Sequence, residues 1–145
     1  MKILYDHQIF SIQQLGGISR YFFELMNEFN KSKDFDGYTS IKYTENKYLA
    51  KLDTFEQSSL LPGNSFRGKA RIQSFLNRYS SQRTVRKAEF DIFHPTYYNP
   101  YFLSDIGSKP VVVTVFDMIH ERLPYYFSDG AKISENKRRV IKRAN

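Results

Sequence analysis

The chain has 145 residues, no cysteine and no tryptophan, and carries a formal charge of +7 with 17% aromatic residues. That length suits one domain whose core needs no staples, and the missing thiols exclude disulfides, thiol catalysis and cysteine metal ligation, in keeping with a reducing, cytoplasmic compartment. An acid at Asp6 comes too early for a signal peptide, no apolar run approaches the ~20 residues that span a bilayer, and the basic surplus favours polyanionic partners.

The chain opens on a short apolar run, Ile3-Leu4-Tyr5, that reads as a strand buried in a parallel sheet and ends at Asp6-His7. A mixed connection, Gln8 to Leu15, leads to Gly16-Gly17, where the backbone is free to take positive φ and a ligand or another segment can come close. Ile18, Phe22, Leu25, Met26 and Phe29 then repeat with helical spacing and form one apolar stripe. Strand, glycines and helix in this order either hold an anion at the helix start or make a plain connection. Tyr38 to Thr44 reads as a second strand, Glu45 to Leu52 as a short helix, and Leu60-Leu61 as part of a short third strand before a turn at Pro62-Gly63-Asn64.

Lys69 to Lys87 reads as a helix whose apolar stripe, Ile72, Phe75, Leu76 and Tyr79, packs inward while its arginines face water. From Arg67 to Lys87 there are seven basic residues and no acid; from Lys132 to Arg143 there are six against Glu135 alone. Each run is either a solvated face or an anion-facing one. Phe90 to His94 predicts another strand, and Val111 to Phe116 predicts the plainest one, covered by helices on both sides. A long connection from Asp117 to Asp129 leads to a last helix from Gly130 to Ala144. Alternating strands and helices imply an α/β fold with a parallel sheet, whose ligands bind beyond the carboxyl ends of the strands.

All three histidines, His7, His94 and His120, follow a predicted strand, so this edge is the candidate site. No zinc-helix spacing, nucleophile elbow, Walker loop or Gly-x-Gly-x-x-Gly is present. Asp117 either caps the next turn or serves the site, and His120 and Glu121 are placed to bind hydroxyls or move protons. Tyr97, Tyr98 and Tyr101 either stack on a sugar ring or plug their loop against the domain.

Three stretches, 16–25, 90–98 and 111–127, resemble in order and spacing the N-terminal domain of a family-4 glycosyltransferase of the two-domain, Rossmann-like GT-B type. They are Gly-Gly-Ile-Ser-Arg-Tyr-Phe-Phe-Glu-Leu, Phe-Asp-Ile-Phe-His-Pro-Thr-Tyr-Tyr, and a valine run followed by Phe-Asp-Met-Ile-His-Glu-Arg-Leu-Pro. The resemblance implies metal-independent, retaining transfer of a sugar from a nucleotide sugar to a glycan or lipid-linked acceptor, in polysaccharide, lipopolysaccharide or glycolipid assembly, with no cofactor. It implies donor-phosphate contacts at Gly16, Gly17 and Arg20, acceptor contacts at His94, Tyr97, Tyr98 and Arg122, and catalytic roles for Asp117 and His120. Phe116 stands where many relatives carry a histidine, so no catalytic role transfers to that position. Residues 1–145 would then be an acceptor-side unit that stops before its last strand, lacks the C-terminal donor domain and is inactive alone.

On this reading the enzyme is cytoplasmic, at the inner face of the membrane, with the basic helix 69–87 turned toward anionic lipid or a phosphate-bearing acceptor. Two other readings use the same charge and aromatics: a nucleic-acid-binding module, for which no known fold pattern is present, and a non-catalytic acceptor-binding module. The favoured reading expects no nucleic-acid partner.

Overall fold

A computed structural model describes residues 1–52, 55 and 66–144. It is a mixed α/β unit with a three-stranded parallel sheet and five α helices among these residues. Strand β1 (Lys2–Tyr5) lies in the middle, between β2 (Asp36–Thr39) and β3 (Ile92–His94). Tyr5 is in register with Thr39 on one side and His94 on the other, so all three strands end at one edge.

Side chains of β1 alternate between two cores, as strand geometry requires. Ile3 and Tyr5 join Ile9, Phe10, Phe22, Met26 and Leu49 on one face; Leu4 joins Val85, Phe93, Phe102, Val111 and Val140 on the other. Helix α1 (Gln8–Ile12) and helix α2 (Gly17–Asn30) supply the first layer. Burial of Phe22 and Met26, with Ile18, Leu25 and Phe29 packed beside them, follows the stripe read from the sequence. Helix α1 forms where the sequence suggested only a mixed connection.

Helix α3 (Lys69–Lys87) has the predicted bounds and the opposite orientation. Its buried side chains are Asn77, Ser81 and Val85, whereas Ile72, Phe75 and Tyr79 are exposed by 45%, 71% and 58%. Hydrogen bonding explains the reversal. Lys42 and Tyr43 donate their backbone N–H groups to Asn77 Oδ1 at 3.2 and 2.9 Å, and Asn77 Nδ2 donates to Tyr43 O at 2.6 Å and Ser11 Oγ at 3.1 Å. Ser80 donates to the Ser40 carbonyl, and the Ser40 and Ser81 hydroxyls lie 2.7 Å apart. Buried backbone groups must find partners, and α3 provides them with its polar side. Past the end of β2 at Thr39, the backbone N–H groups of residues 42 and 43 are thus taken up by a side chain of α3.

The valine run departs further from expectation. Only Val111 bridges to Phe93, and no strand follows. Beyond Pro95 the partner chain turns away, and side chains replace the ladder: His94 Nε2 lies 2.9 Å from Thr114 Oγ1, Tyr98 Oη donates to Thr114 O at 3.4 Å, and Phe116 N donates to Tyr98 Oη at 3.1 Å. Val112 and Val115 are exposed, so no helix covers this run on both sides. After it come helix α4 (Ile119–Arg122), a 3-10 turn at Pro124–Tyr126 and helix α5 (Gly130–Ile141). Within Glu45 to Leu52 a single 3-10 turn forms at Leu49–Lys51, and the strand and turn expected at 60–64 lie outside the described residues. No helix among the described residues is long and apolar enough to cross a membrane.

Candidate functional site

Asp6 organises the strand-end edge. Its side chain is fully buried, and Oδ1 accepts from Thr96 N at 2.9 Å and Thr96 Oγ1 at 2.6 Å, with a longer bond of 3.3 Å from Gln8 N. Oδ2 accepts from Gln8 Nε2 at 2.7 Å. A buried carboxylate needs such donors, and these tie the loop after β1 to the loop after β3. Gln8 extends the tie to Asn99: its Oε1 accepts from Asn99 N at 2.7 Å, and its Nε2 donates to Asn99 O at 3.2 Å.

His7 is held next to this tie. Its Nδ1 lies 2.7 Å from Ser81 Oγ, and its ring packs edgewise on Tyr101 at 5.2 Å. Burial lowers its pKa, with Asp6 opposing and Arg78 assisting, so the ring is neutral at pH 7. The Tyr101 hydroxyl is buried beside Asp6 and Ser81, and burial pushes its pKa well up. His94 ends β3 against Tyr5 and Phe22, at ring distances of 5.4 and 5.1 Å, and burial brings its pKa down to about 4.

A cavity of about 310 Å³ opens in front of these loops. His7, Gln8, Tyr97, Tyr98 and Asn99 line it from the strand ends, Ser11 and Ile12 from α1, Ser74 from α3, and Asp129, Ile133 and Asn136 from the start of α5. Hydroxyl, amide, imidazole and carboxylate groups beside two tyrosine rings suit a polyhydroxylated ligand: polar atoms meet hydroxyls and ring faces meet C–H surfaces. The two rings are 4.8 Å apart. A slightly larger cavity, about 340 Å³, adjoins it through Ser11, Ile12 and Ser74, between Gln13, residues 43–46 and the first turns of α3, and holds no histidine.

Of the predicted site residues, Tyr97 and Tyr98 line the strand-end cavity. His94 is buried behind the loop that carries them, engaged with Thr114. Asp117 is exposed, and its Oδ1 accepts from Ile119 N at 3.1 Å, the geometry of a turn cap. His120 lies on α4, stacked on Phe127 at 4.5 Å, and Arg122 is exposed two residues on. Neither lines the cavity, because the strand expected to carry this segment to the edge does not form.

Gly16 is extended, with φ 177° and ψ 159°, not left-handed. Its small size matters for another reason: a Cβ there would collide with the Gln13 amide, whose Oε1 accepts from Ser19 N at 3.1 Å. At Gly17 a Cβ would meet open space. The side chain of Arg20 is exposed and lies 3.4 Å from Glu24.

Sequence reasoning passed over Lys137. Its buried Nζ donates to Asp117 O at 2.8 Å and Glu121 Oε2 at 3.0 Å, and it sits 5.0 Å above the Tyr98 ring. Burial alone would raise the Glu121 pKa, but the lysine's hydrogen bond and charge, with a backbone bond, bring the net shift downward. One cation therefore fixes the 117–121 segment, α5 and one tyrosine of the cavity. The signal was a lysine at i, i+3 spacing from Ser134 and Val140, on the inward side of a helix otherwise rich in exposed cations. Among the described residues no group of three or more His, Asp or Glu side chains is placed to hold a metal.

Fold and site together define a mixed α/β protein with a small parallel sheet and a polar, tyrosine-lined cleft at its strand ends. No protein-family model, curated protein or solved structure matches the chain.

Proposed function

We propose that this chain is the acceptor-side, Rossmann-like unit of a GT-B glycosyltransferase that transfers a sugar, with retention and without a metal or other cofactor, from a nucleotide sugar to a glycan or lipid-linked acceptor in polysaccharide, lipopolysaccharide or glycolipid synthesis. The observation that carries the reading is the strand-end cavity, where Tyr97 and Tyr98 stand beside hydroxyl-binding groups from four segments. The acceptor sugar lies there, with Asn99, Asp129, Asn136 and neutral His7 on its hydroxyls. The donor diphosphate approaches the start of α2, where the Gly17 and Ile18 N–H groups have no hydrogen-bond acceptor among the described residues and Arg20 adds a cation. Asp117, His120 and Arg122 lie outside the cavity and would reach the reacting centre or the acceptor only in the complete enzyme, while His94 would support the acceptor site from behind the loop that carries Tyr97 and Tyr98. The reaction takes place in the cytoplasm, and nucleic acid is not a partner.

The test is saturation-transfer NMR of the chain with a panel of methyl glycosides. At least one should bind in the millimolar range, and Tyr97→Ala and Asn136→Leu should each weaken it about tenfold, the loss of one ring contact or one matched hydrogen bond. A panel with no binder, or binding indifferent to both substitutions, overturns the reading. A non-catalytic acceptor-binding module is the second reading, favoured by the use of Asp117 as a turn cap. It predicts the same glycoside binding, with no effect of Asp117→Asn on transfer by the complete enzyme.

A further inference from the structure

The proposed acceptor sugar uses only the smaller of two adjoining cavities. The larger, about 340 Å³, shares Ser11 and Ile12 of α1 and Ser74 of α3 with it, so the two form one continuous cleft between these helices. Each alone reaches the ~300 Å³ at which small-molecule sites begin, and the cleft as a whole is about twice that. The larger chamber is polar and balanced in charge: Tyr43, Glu45, Lys69 and Gln73 line it and bring a phenol, a carboxylate, an ammonium and an amide. Gln14 Nε2 donates to Glu45 Oε2 at 2.7 Å, which fixes the carboxylate and leaves Oε1 to accept from a ligand. At the junction the Ser11 hydroxyl accepts from Asn77 Nδ2 at 3.1 Å and keeps its own proton to donate. Ile12, exposed by 64%, stands beside it as an apolar rib between two polar chambers.

We infer that the cleft takes an acceptor of at least two sugar units, with the terminal sugar in the strand-end cavity and the next, uncharged sugar in the larger chamber. The inference rests on the sugar-binding reading of the strand-end cavity and adds the length and charge of the acceptor to it. Donors and acceptors without a surplus of charge match hydroxyls, which do both; a phosphate or carboxylate is matched poorly, because Glu45 opposes Lys69. The linkage between two sugar rings carries an ether oxygen and C–H groups where the rings carry hydroxyls. It is therefore the stretch of the ligand that loses least by lying on Ile12. The Ser11 and Ser74 hydroxyls flank that stretch and meet the ring hydroxyls nearest the linkage. Gln73 lines the larger chamber only, and so selects for acceptor length without touching the terminal sugar.

The full chain is titrated, with saturation-transfer NMR as the readout, with methyl glucoside, methyl galactoside and methyl mannoside, and with methyl maltoside, methyl cellobioside, methyl lactoside and methyl mannobioside, each of which ends in one of those sugars. At least one disaccharide should bind about tenfold more tightly than its terminal sugar alone, the gain of one or two matched hydrogen bonds. Gln73→Leu, which removes the amide, and Ala70→Phe, which fills the chamber from the first turn of α3, should each abolish that gain and leave the single sugars unchanged. Both positions lie on α3 outside the apolar cores, so circular dichroism should show both variants folded. Single sugars that bind and respond to Tyr97→Ala, with no disaccharide binding more tightly, would overturn the inference and leave the sugar-binding reading standing. A gain that survives both α3 substitutions would place the second unit elsewhere and overturn it too, as would equal weakening of single sugars and disaccharides by either substitution. Failure of every sugar to bind would overturn both readings.

Discussion

Replacing Asp6 tests whether the strand-end edge is held together as described. Asp6→Ala removes the acceptor of four hydrogen bonds at once. Two donors have somewhere else to go: Gln8 Nε2 keeps Asn99 O, and Thr96 Oγ1 can turn to Asp6 O at 3.4 Å while still accepting from Ile9 N. Thr96 N and Gln8 N are left without acceptors. A buried donor deprived of a charged partner costs about 1.5–3 kcal/mol, and the long Gln8 bond counts for less, so the loss should be about 3 kcal/mol. Asp6→Asn keeps the oxygen facing Thr96 but brings an NH₂ group against Gln8 Nε2. Flipping Gln8 would only move the mismatch to Asn99 N, so this variant should lose about 1–2 kcal/mol. Urea unfolding followed by circular dichroism reads both, and at a slope of about 2 kcal/mol/M the Ala midpoint should fall by roughly 1.5 M. An Ala variant within about 1 kcal/mol of the parent would refute the account of Asp6 as the tie. Equal losses for Asn and Ala would refute the donor-by-donor matching.

Two further outcomes are expected. His94 titrates at about 4 when folded against 6.5 when free, so the unfolded chain takes up the proton first: stability is full above pH 6.5 and falls by about 3 kcal/mol as the pH drops toward 4. Urea midpoints measured from pH 7.5 to 4 should show this fall and show less of it in His94→Gln; His7, which is shifted the same way, and at the acid end Glu121, whose carboxyl is held below its ordinary value, contribute to the remainder. Ala88 ends α3 in the left-handed conformation at φ 53°, so Ala88→Gly should raise stability by about 0.5–1 kcal/mol in thermal unfolding, and an unchanged or lower midpoint would count against the strain.

Legibility from the sequence varied with the kind of force at work. Helix α2 was readable because its burial follows apolar spacing alone. Helix α3 was readable in extent but not in direction, because its inward side is polar: Asn77, Ser80, Ser81 and Thr84 share one face and would have signalled a hydrogen-bonded seam had polar periodicity been weighed with apolar. The valine run failed for a related reason. Strand propensity at Val111 to Phe116 is high, but a ladder needs a partner, and the one it meets stops at Pro95. At the site, two of the three histidines do stand at the strand ends. The tie that holds them was hidden, since Asp6 and Thr96 are ninety positions apart and nothing local pairs them.

The polar seam under α3 has a thermodynamic consequence. Among the side chains of α3 only Val85 belongs to an apolar core, while the part of the helix up to Ser80 is held by directional bonds from Asn77 and Ser80 to residues 11, 40, 42 and 43. Such bonds bury little hydrocarbon, so opening this part exposes little new apolar surface and carries a small heat-capacity change. The helix is thereby a separate unit of local stability, with its far end anchored and its near end released more cheaply than the sheet. Water and amide hydrogen exchange should reach residues 69–80 long before they reach β1.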